Sequence, residues 1–173
     1  MWSAFALAFL SVSWAQSPSP SSPLAPAQPA TESGPQQPIP FSHKVHAGTL
    51  AMACDGCHTF SHSGETLGIP QANTCMQCHQ TIAASELPIQ KLAAYAKSGA
   101  IIPWVRVYQL PDFVTFSHKT HLDHGITCQN CHGKVATRDR LFQESDISMA
   151  GCTKCHTTKK AATECNTCHQ LQQ

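Results

Sequence analysis

The sequence predicts a small, mainly α and irregular fold with little regular secondary structure, built as two related units around a core that side chains alone do not supply. Three observations predict it. Aromatic residues make up only 7% of the 173 residues, too few for a large side-chain core. Ten cysteines and 11 histidines stand far above ordinary usage and need a structural or chemical role. One six-residue segment occurs twice: Phe41-Ser42-His43-Lys44-Val45-His46 returns as Phe116-Ser117-His118-Lys119-Thr120-His121, 75 positions later. Charge adds an exclusion. Charged residues are 12% with a formal net charge of +1, so neither a nucleic-acid-binding surplus nor an acidic tail is present.

Residues 1–15 are apolar, carry no charged side chain and end in the small-x-small pattern Ser13-Trp14-Ala15. This reads as a secretory signal peptide cleaved after Ala15. The stretch is shorter than the roughly 20 residues that span a bilayer, so a mature chain without a transmembrane helix is expected, an uncleaved anchor being the other reading. Residues 16–40 turn to Pro, Ser, Ala and Gln, with eight of the 12 prolines. That composition cannot bury enough apolar surface to offset its ordering entropy, and a disordered linker is expected.

Residues 41–84 form the first unit, and residues 113–173 the second. Cysteine pairs keep the repeat offset: Cys54 and Cys128 differ by 74 positions, Cys75 and Cys152 by 77, and the second unit adds Cys165 and Cys168. Between the units, residues 85–112 hold a helix and a connector. Ser85 suits an N-cap, Pro88 the first turn and Gly99 the position past the end, predicting a helix over 85–97. The alternation from Trp104 to Tyr108 predicts a short strand or extended connector.

All ten cysteines lie in Cys-x-x-Cys pairs, and every pair is followed directly by histidine: Cys54, Cys57 and His58; Cys75, Cys78 and His79; Cys128, Cys131 and His132; Cys152, Cys155 and His156; Cys165, Cys168 and His169. With histidine at about 6% of positions, five such successes by chance have odds of roughly one in a million. The pattern is the attachment signature of c-type haem. Two thiols in one turn form thioethers to the haem, and the following imidazole binds the iron. Structural zinc needs four ligands and no histidine after each pair. Disulfides across four-residue loops would be strained and would close loops too short to stabilise much. Five covalently bound c-type haems are therefore expected, about one for every 27 residues of 41–173. Porphyrin faces would then form most of the core, and the chain without them would be largely unfolded.

Six histidines remain as candidate second ligands: His43, His46, His62, His118, His121 and His124. The repeated segments supply four, each two of them three positions apart and so on one face of a helical turn. Phe41, Phe116, Trp104 and Tyr108 are expected on porphyrin edges. Arg106, Lys44 and Lys119 are candidates to pair with propionates, the alternative being solvated surface charges. The propionates also make the loaded protein more acidic than its formal charge, which suits a basic patch on a redox partner.

F-S-H-x-x-H ahead of clustered C-x-x-C-H resembles the class III multihaem cytochromes c, small folds dominated by mostly bis-histidine haems. Across roughly 39–169 the pieces Gly68–His79 (GIPQANTCMQCH), Ile102–Asp112 (IPWVRVYQLPD) and Ile147–His156 (ISMAGCTKCH) are similar to the pentahaem subunit of alternative complex III. The resemblance implies that the first histidine of each motif serves the next haem and the second the one after. His43 would pair with His58, His46 with His79, His118 with His132, and His121 with His156. It also places a methionine before the fourth pair, which makes Met149 the candidate ligand for the His169 haem, with His124 or His62 as the alternatives. With every iron six-coordinate no position is left for a substrate. The expectation is a periplasmic electron carrier, not an enzyme, working either as a subunit or partner of a quinol-oxidising membrane complex or as a free shuttle.

Overall fold

A computed structural model of the protein describes residues 34–60 and 65–169. The proposed signal peptide, most of the proline-rich segment and His62 lie outside the described residues. Among the described residues there is no strand, only two isolated bridges, Phe60 with Leu67 and Val114 with His169. Six α-helices are present: α1 (Ala72–His79), α2 (Leu87–Ser98), α3 (His118–Asp123), α4 (Cys128–His132), α5 (Met149–Lys159) and α6 (Cys165–Cys168). A π-helical turn covers Lys44–Thr49, and 3₁₀ turns cover Cys54–Gly56 and Val135–Thr137.

α2 has no cysteine and is positioned by ordinary helix signals. Pro88 stands in its first turn, and Gly99 closes it with φ 69°, a left-handed conformation that costs glycine little. Its N-cap is Glu86 rather than Ser85, and no side chain caps it. The Ser85 carbonyl instead accepts from the Gln90 side chain at 3.0 Å. Residues 104–108 take the connector form, not a strand.

The side-chain core is small. Ile39, Ala72, Leu92 and Ile102 are the buried residues among those described, and Cys75, Met76, Ile89, Tyr95, Ala96 and Trp104 pack around them. This cluster joins α1 to α2. The Trp104 indole donates to the Pro70 carbonyl at 3.0 Å, and the Ile102 amide donates to Gln71 Oε1 at 2.8 Å, closing the connector over α1. The end of the proline-rich segment belongs to this body. The Gln37 side chain both donates to and accepts from the Val105 backbone at 2.9 Å, mimicking a strand neighbour, and Ile39 beside it is buried.

The two units clasp each other. The Lys44 amide donates to the Arg138 carbonyl at 2.9 Å, and Ser42 Oγ donates to Asp139 at 2.6 Å, so the first repeated motif sits on the loop after His132. In return the His118 amide donates to the Glu65 carbonyl at 3.0 Å, placing the second motif on the loop after His58. Since 43 and 118 are equivalent repeat positions, the contacts are reciprocal in the manner of an internal two-fold. At Gly48 the approach is close: a Cβ there would lie 2.3 Å from the Ala136 carbonyl oxygen.

Candidate haem sites

Each Cys-x-x-Cys-His occupies a helical turn or the end of one: Cys54–Gly56 leads into Cys57 and His58, α1 ends at His79, α4 at His132, α5 contains Cys152–His156, and α6 is followed by His169. With 3.6 residues per turn, thiols at i and i+3 share a face, and the histidine at i+4 lies beside them. Local caps start these turns. Asn130 Oδ1 accepts from the Thr127 amide at 2.8 Å ahead of α4, and Ser148 Oγ accepts from the Gly151 amide at 3.3 Å ahead of α5. None of the ten cysteines is paired in a disulfide.

The distal histidines meet the proximal ones across most of a unit's length. His43 faces His58 with ring centroids 6.3 Å apart and planes at 6°. His46 faces His79 at 6.1 Å and 56°. In the second unit His118 faces His132 at 6.5 Å and 9°, and His121 faces His156 at 6.0 Å and 53°. Two imidazoles on opposite sides of one metal, each with a bond of about 2.0–2.1 Å, have centroids roughly 6 Å apart. The four gaps therefore fit a six-coordinate iron. Among the described residues no three or more His, Cys, Asp or Glu side chains converge as a metal-ion cluster of their own.

The proton positions also fit. A carbonyl only accepts, so each ring nitrogen next to one must carry the proton. His58 Nδ1 donates to the Gly68 carbonyl (3.0 Å), His79 to Ile82 (3.0 Å), His156 to Ala162 (2.6 Å) and His169 to Phe113 (3.3 Å). On the distal side His46 donates to Ser42 (2.9 Å), His118 to Glu65 (3.2 Å) and His121 to Ser117 (2.8 Å). In every case Nε2 is left with its lone pair free, the tautomer a metal requires. Burial, with His58 and His46 nearby, lowers the His43 pKa to about 4, and burial with His118 and His58 nearby lowers that of His132.

The fifth site differs. Among the described residues the ring neighbour of His169 is Phe113, at 5.8 Å and 32°, not an imidazole. Met149 is the first residue of α5 and is 72% exposed. It stands one turn before Cys152, whose thiol neighbours Cys168. His124 donates from Nδ1 to the Thr120 carbonyl at 2.7 Å, at the C-terminus of α3.

The aromatic and basic candidates have protein partners of their own. Phe41 and Phe116 lie on the distal histidines: Phe41 is stacked on His46 at 4.4 Å, and Phe116 on His121 at 4.6 Å. Tyr108 sets its ring edge-on to His132 at 4.6 Å and donates to the Cys131 carbonyl at 3.1 Å. Trp104 is in the α1–α2 core. Lys44 pairs with Asp139 at 3.8 Å and Lys119 with Asp123, both at exposed positions. Ser42 and Ser117 went unassigned in the sequence. Their hydroxyls accept from the Val45 and Thr120 amides at 3.1 and 3.2 Å, and their carbonyls hold the second histidine of each motif.

Neighbouring thiols show how the sites adjoin. Burial raises the Cys75 thiol pKa, and Cys57 adds to it. Burial raises Cys128, with Cys54 adding to it. Burial raises Cys131, with Cys155 and Cys152 adding, and burial raises Cys152, with Cys168 adding.

Two family profiles match the chain: the class III cytochrome c family over residues 19–98, and cytochrome c7 and related cytochromes c over residues 114–170. Over both of its repeated units the chain is therefore similar to cytochromes c of the class III and c7 types, families with covalently bound c-type haem. Among known proteins it is similar to the multiheme cytochrome c subunit of a menaquinone reductase from Nitratidesulfovibrio vulgaris. The two are 29% identical over 162 residues, an alignment that covers 78% of this chain and 77% of the relative. Among the described residues no helix is long and apolar enough to cross a membrane.

Proposed function

We propose that this chain is an exported pentahaem cytochrome c that relays single electrons as the haem-bearing subunit of a membrane complex acting on quinones. The observation that carries the reading is the set of four imidazole pairs at 6.0–6.5 Å, each joining one distal histidine of a repeated motif to one C-x-x-C-H histidine. One-electron exchange between ferric and ferrous iron is the chemistry the haems supply. The chain would hold each iron between two rings that are already aimed at it, so little would have to move when the charge changes. On this reading the unit over 41–84 holds two haems and that over 113–173 three, while 1–15 directs export and the proline-rich segment ahead of the docked Gln37 and Ile39 tethers.

The neighbouring thiols support one linear order of attachment sites, named by their histidines: His79, His58, His132, His156, His169. The inner pair, His58 and His132, occupies equivalent positions of the two repeats, and the His169 site extends the second end. Such a row has two termini that partners can address. The relative's name supports a quinone-linked partner. It names reduction of menaquinone, whereas the resemblance to alternative complex III implies quinol oxidation; a bis-histidine relay serves both directions, and partner potentials set which is used.

The test is a pyridine haemochrome assay with carbon monoxide titration. Five haem equivalents per chain and an unaltered reduced spectrum under carbon monoxide are expected. Fewer equivalents, or a carbon monoxide complex at the His43, His46, His118 or His121 sites, would overturn the reading. Copurification from native membranes separates the subunit role from a free shuttle.

At the His169 site we assign Met149 as the distal ligand, from its place on the helix turn leading to Cys152. Methionine raises haem potential relative to histidine. Met149→Ala is therefore expected to remove the highest-potential step of a spectroelectrochemical titration and leave the others in place. An unchanged titration would return the ligand to His124 or His62.

A further inference from the structure

The phenylalanine that opens each repeated motif touches both distal histidines in opposite ways. Phe41 is stacked on His46 at 4.4 Å and 23° but meets His43 edge-on, at 4.8 Å and 85°. Phe116 repeats the arrangement 75 residues later, stacked on His121 at 4.6 Å and 30° and edge-on to His118 at 4.8 Å and 87°. One ring in face contact with one imidazole and in edge contact with the next holds the two imidazoles at a steep angle to each other. Offset-stacked and T-shaped contacts are the favoured aromatic geometries, so the arrangement is held and not incidental. The Ser42 and Ser117 carbonyls pin the stacked imidazole from its other side through Nδ1, at 2.9 and 2.8 Å.

The consequence appears in the four pairs. The edge-contacted histidines are almost coplanar with their proximal partners, at 6° and 9°; the face-stacked ones are crossed, at 56° and 53°. We propose that Phe41 and Phe116 are positioning residues that sort the distal ligands of each motif into one coplanar and one crossed imidazole pair, giving two electronically distinct kinds of bis-histidine haem. The proposal rests on the reading of these histidines as axial ligands. An imidazole donates π density perpendicular to its plane. Coplanar rings raise the same iron d orbital and split the pair strongly, whereas crossed rings raise both and reduce the splitting. The splitting follows the cosine of the angle between planes, so the crossed sites retain about 0.6 of the coplanar value, an axial-ligand effect set from the second shell. No net covalent change is involved.

Low-temperature EPR of the oxidised holoprotein tests this. Two low-spin classes are expected in equal amounts from the four sites: an ordinary rhombic signal, and a more anisotropic one at lower field. Phe41→Leu should shift or broaden about half of the low-field class and leave five low-spin haems by haemochrome assay and visible spectrum. Phe116→Leu should affect the other half, and Phe41→Tyr, which keeps the ring face, should restore the wild-type signal. A single signal class in the wild type, or low-field signals unmoved in both leucine variants, would overturn the proposal. The underlying ligand reading fails differently: His46→Ala would then leave every haem low-spin and closed to carbon monoxide, whatever the phenylalanine variants do.

Discussion

A chain made in the cytoplasm, without thioether attachment, is expected to be unfolded, with a far-UV circular dichroism spectrum near random coil and no cooperative thermal transition. The four buried side chains, Ile39, Ala72, Leu92 and Ile102, each contribute about 1.5–3 kcal/mol at most. Ordering the backbone of a body this size costs far more entropy than so small a cluster offsets. Nor does local structure help. α3, α4 and α6 have six, five and four residues, well below the roughly 12–15 that even a good isolated helix needs in water. Only α2, with 12 residues and its proline and glycine boundaries, has the propensity to persist alone. An apo chain that melted cooperatively, with the helix content of the holoprotein, would contradict the view that attached haems are the core.

The chemistry was legible because it is written in contiguous residues. Five C-x-x-C-H turns and two F-S-H-K-x-H motifs need no tertiary knowledge to be seen, and the resemblance they carry pairs His43 with His58 and His121 with His156 as the geometry places them. What stayed hidden lies in contacts that leave no local period. Backbone carbonyls such as those of Gly68, Ile82 and Ala162 orient imidazoles, and any residue type supplies a carbonyl. Phe41 looks from its sequence position like porphyrin packing; the turn that brings His43 and His46 onto one side also brings both within reach of its ring. The α2 boundary shifted by one residue because the Ser85 carbonyl is taken by Gln90, leaving Glu86 in the extended N-cap conformation. The clasp between the units joins residues such as Lys44 and Arg138, too far apart in the chain for any pattern of spacing to reveal.

Removing an attachment site from the middle of the row is expected to do far more than removing one from its end. The Cys165 and Cys168 pair sits on a four-residue helix whose link to the body is the Val114–His169 bridge, the Thr115 amide donating to the Cys168 carbonyl at 2.7 Å, and the Phe113 contact. Cys165→Ala with Cys168→Ala should therefore give a protein with one haem fewer by denaturing mass spectrometry, the other steps of its redox titration retained, and a melting temperature lowered by only a few degrees. Cys128 and Cys131 lie where the two units meet: Cys128 neighbours Cys54, and Cys131 neighbours Cys155 and Cys152. Their loss leaves His118 and His132 facing across an unfilled gap in the clasp, with Tyr108 edge-on to His132 beside it. Cys128→Ala with Cys131→Ala should accumulate poorly and be cleaved rapidly by protease. Whatever folds should show the His79 and His58 sites equilibrating electrons with the His156 and His169 sites at least tenfold more slowly after flash reduction, because the one site between them is missing. Equal stability and equal internal equilibration in the two variants would mean that the sites do not follow the order His79, His58, His132, His156, His169, and the relay would have to be redrawn as a branched cluster.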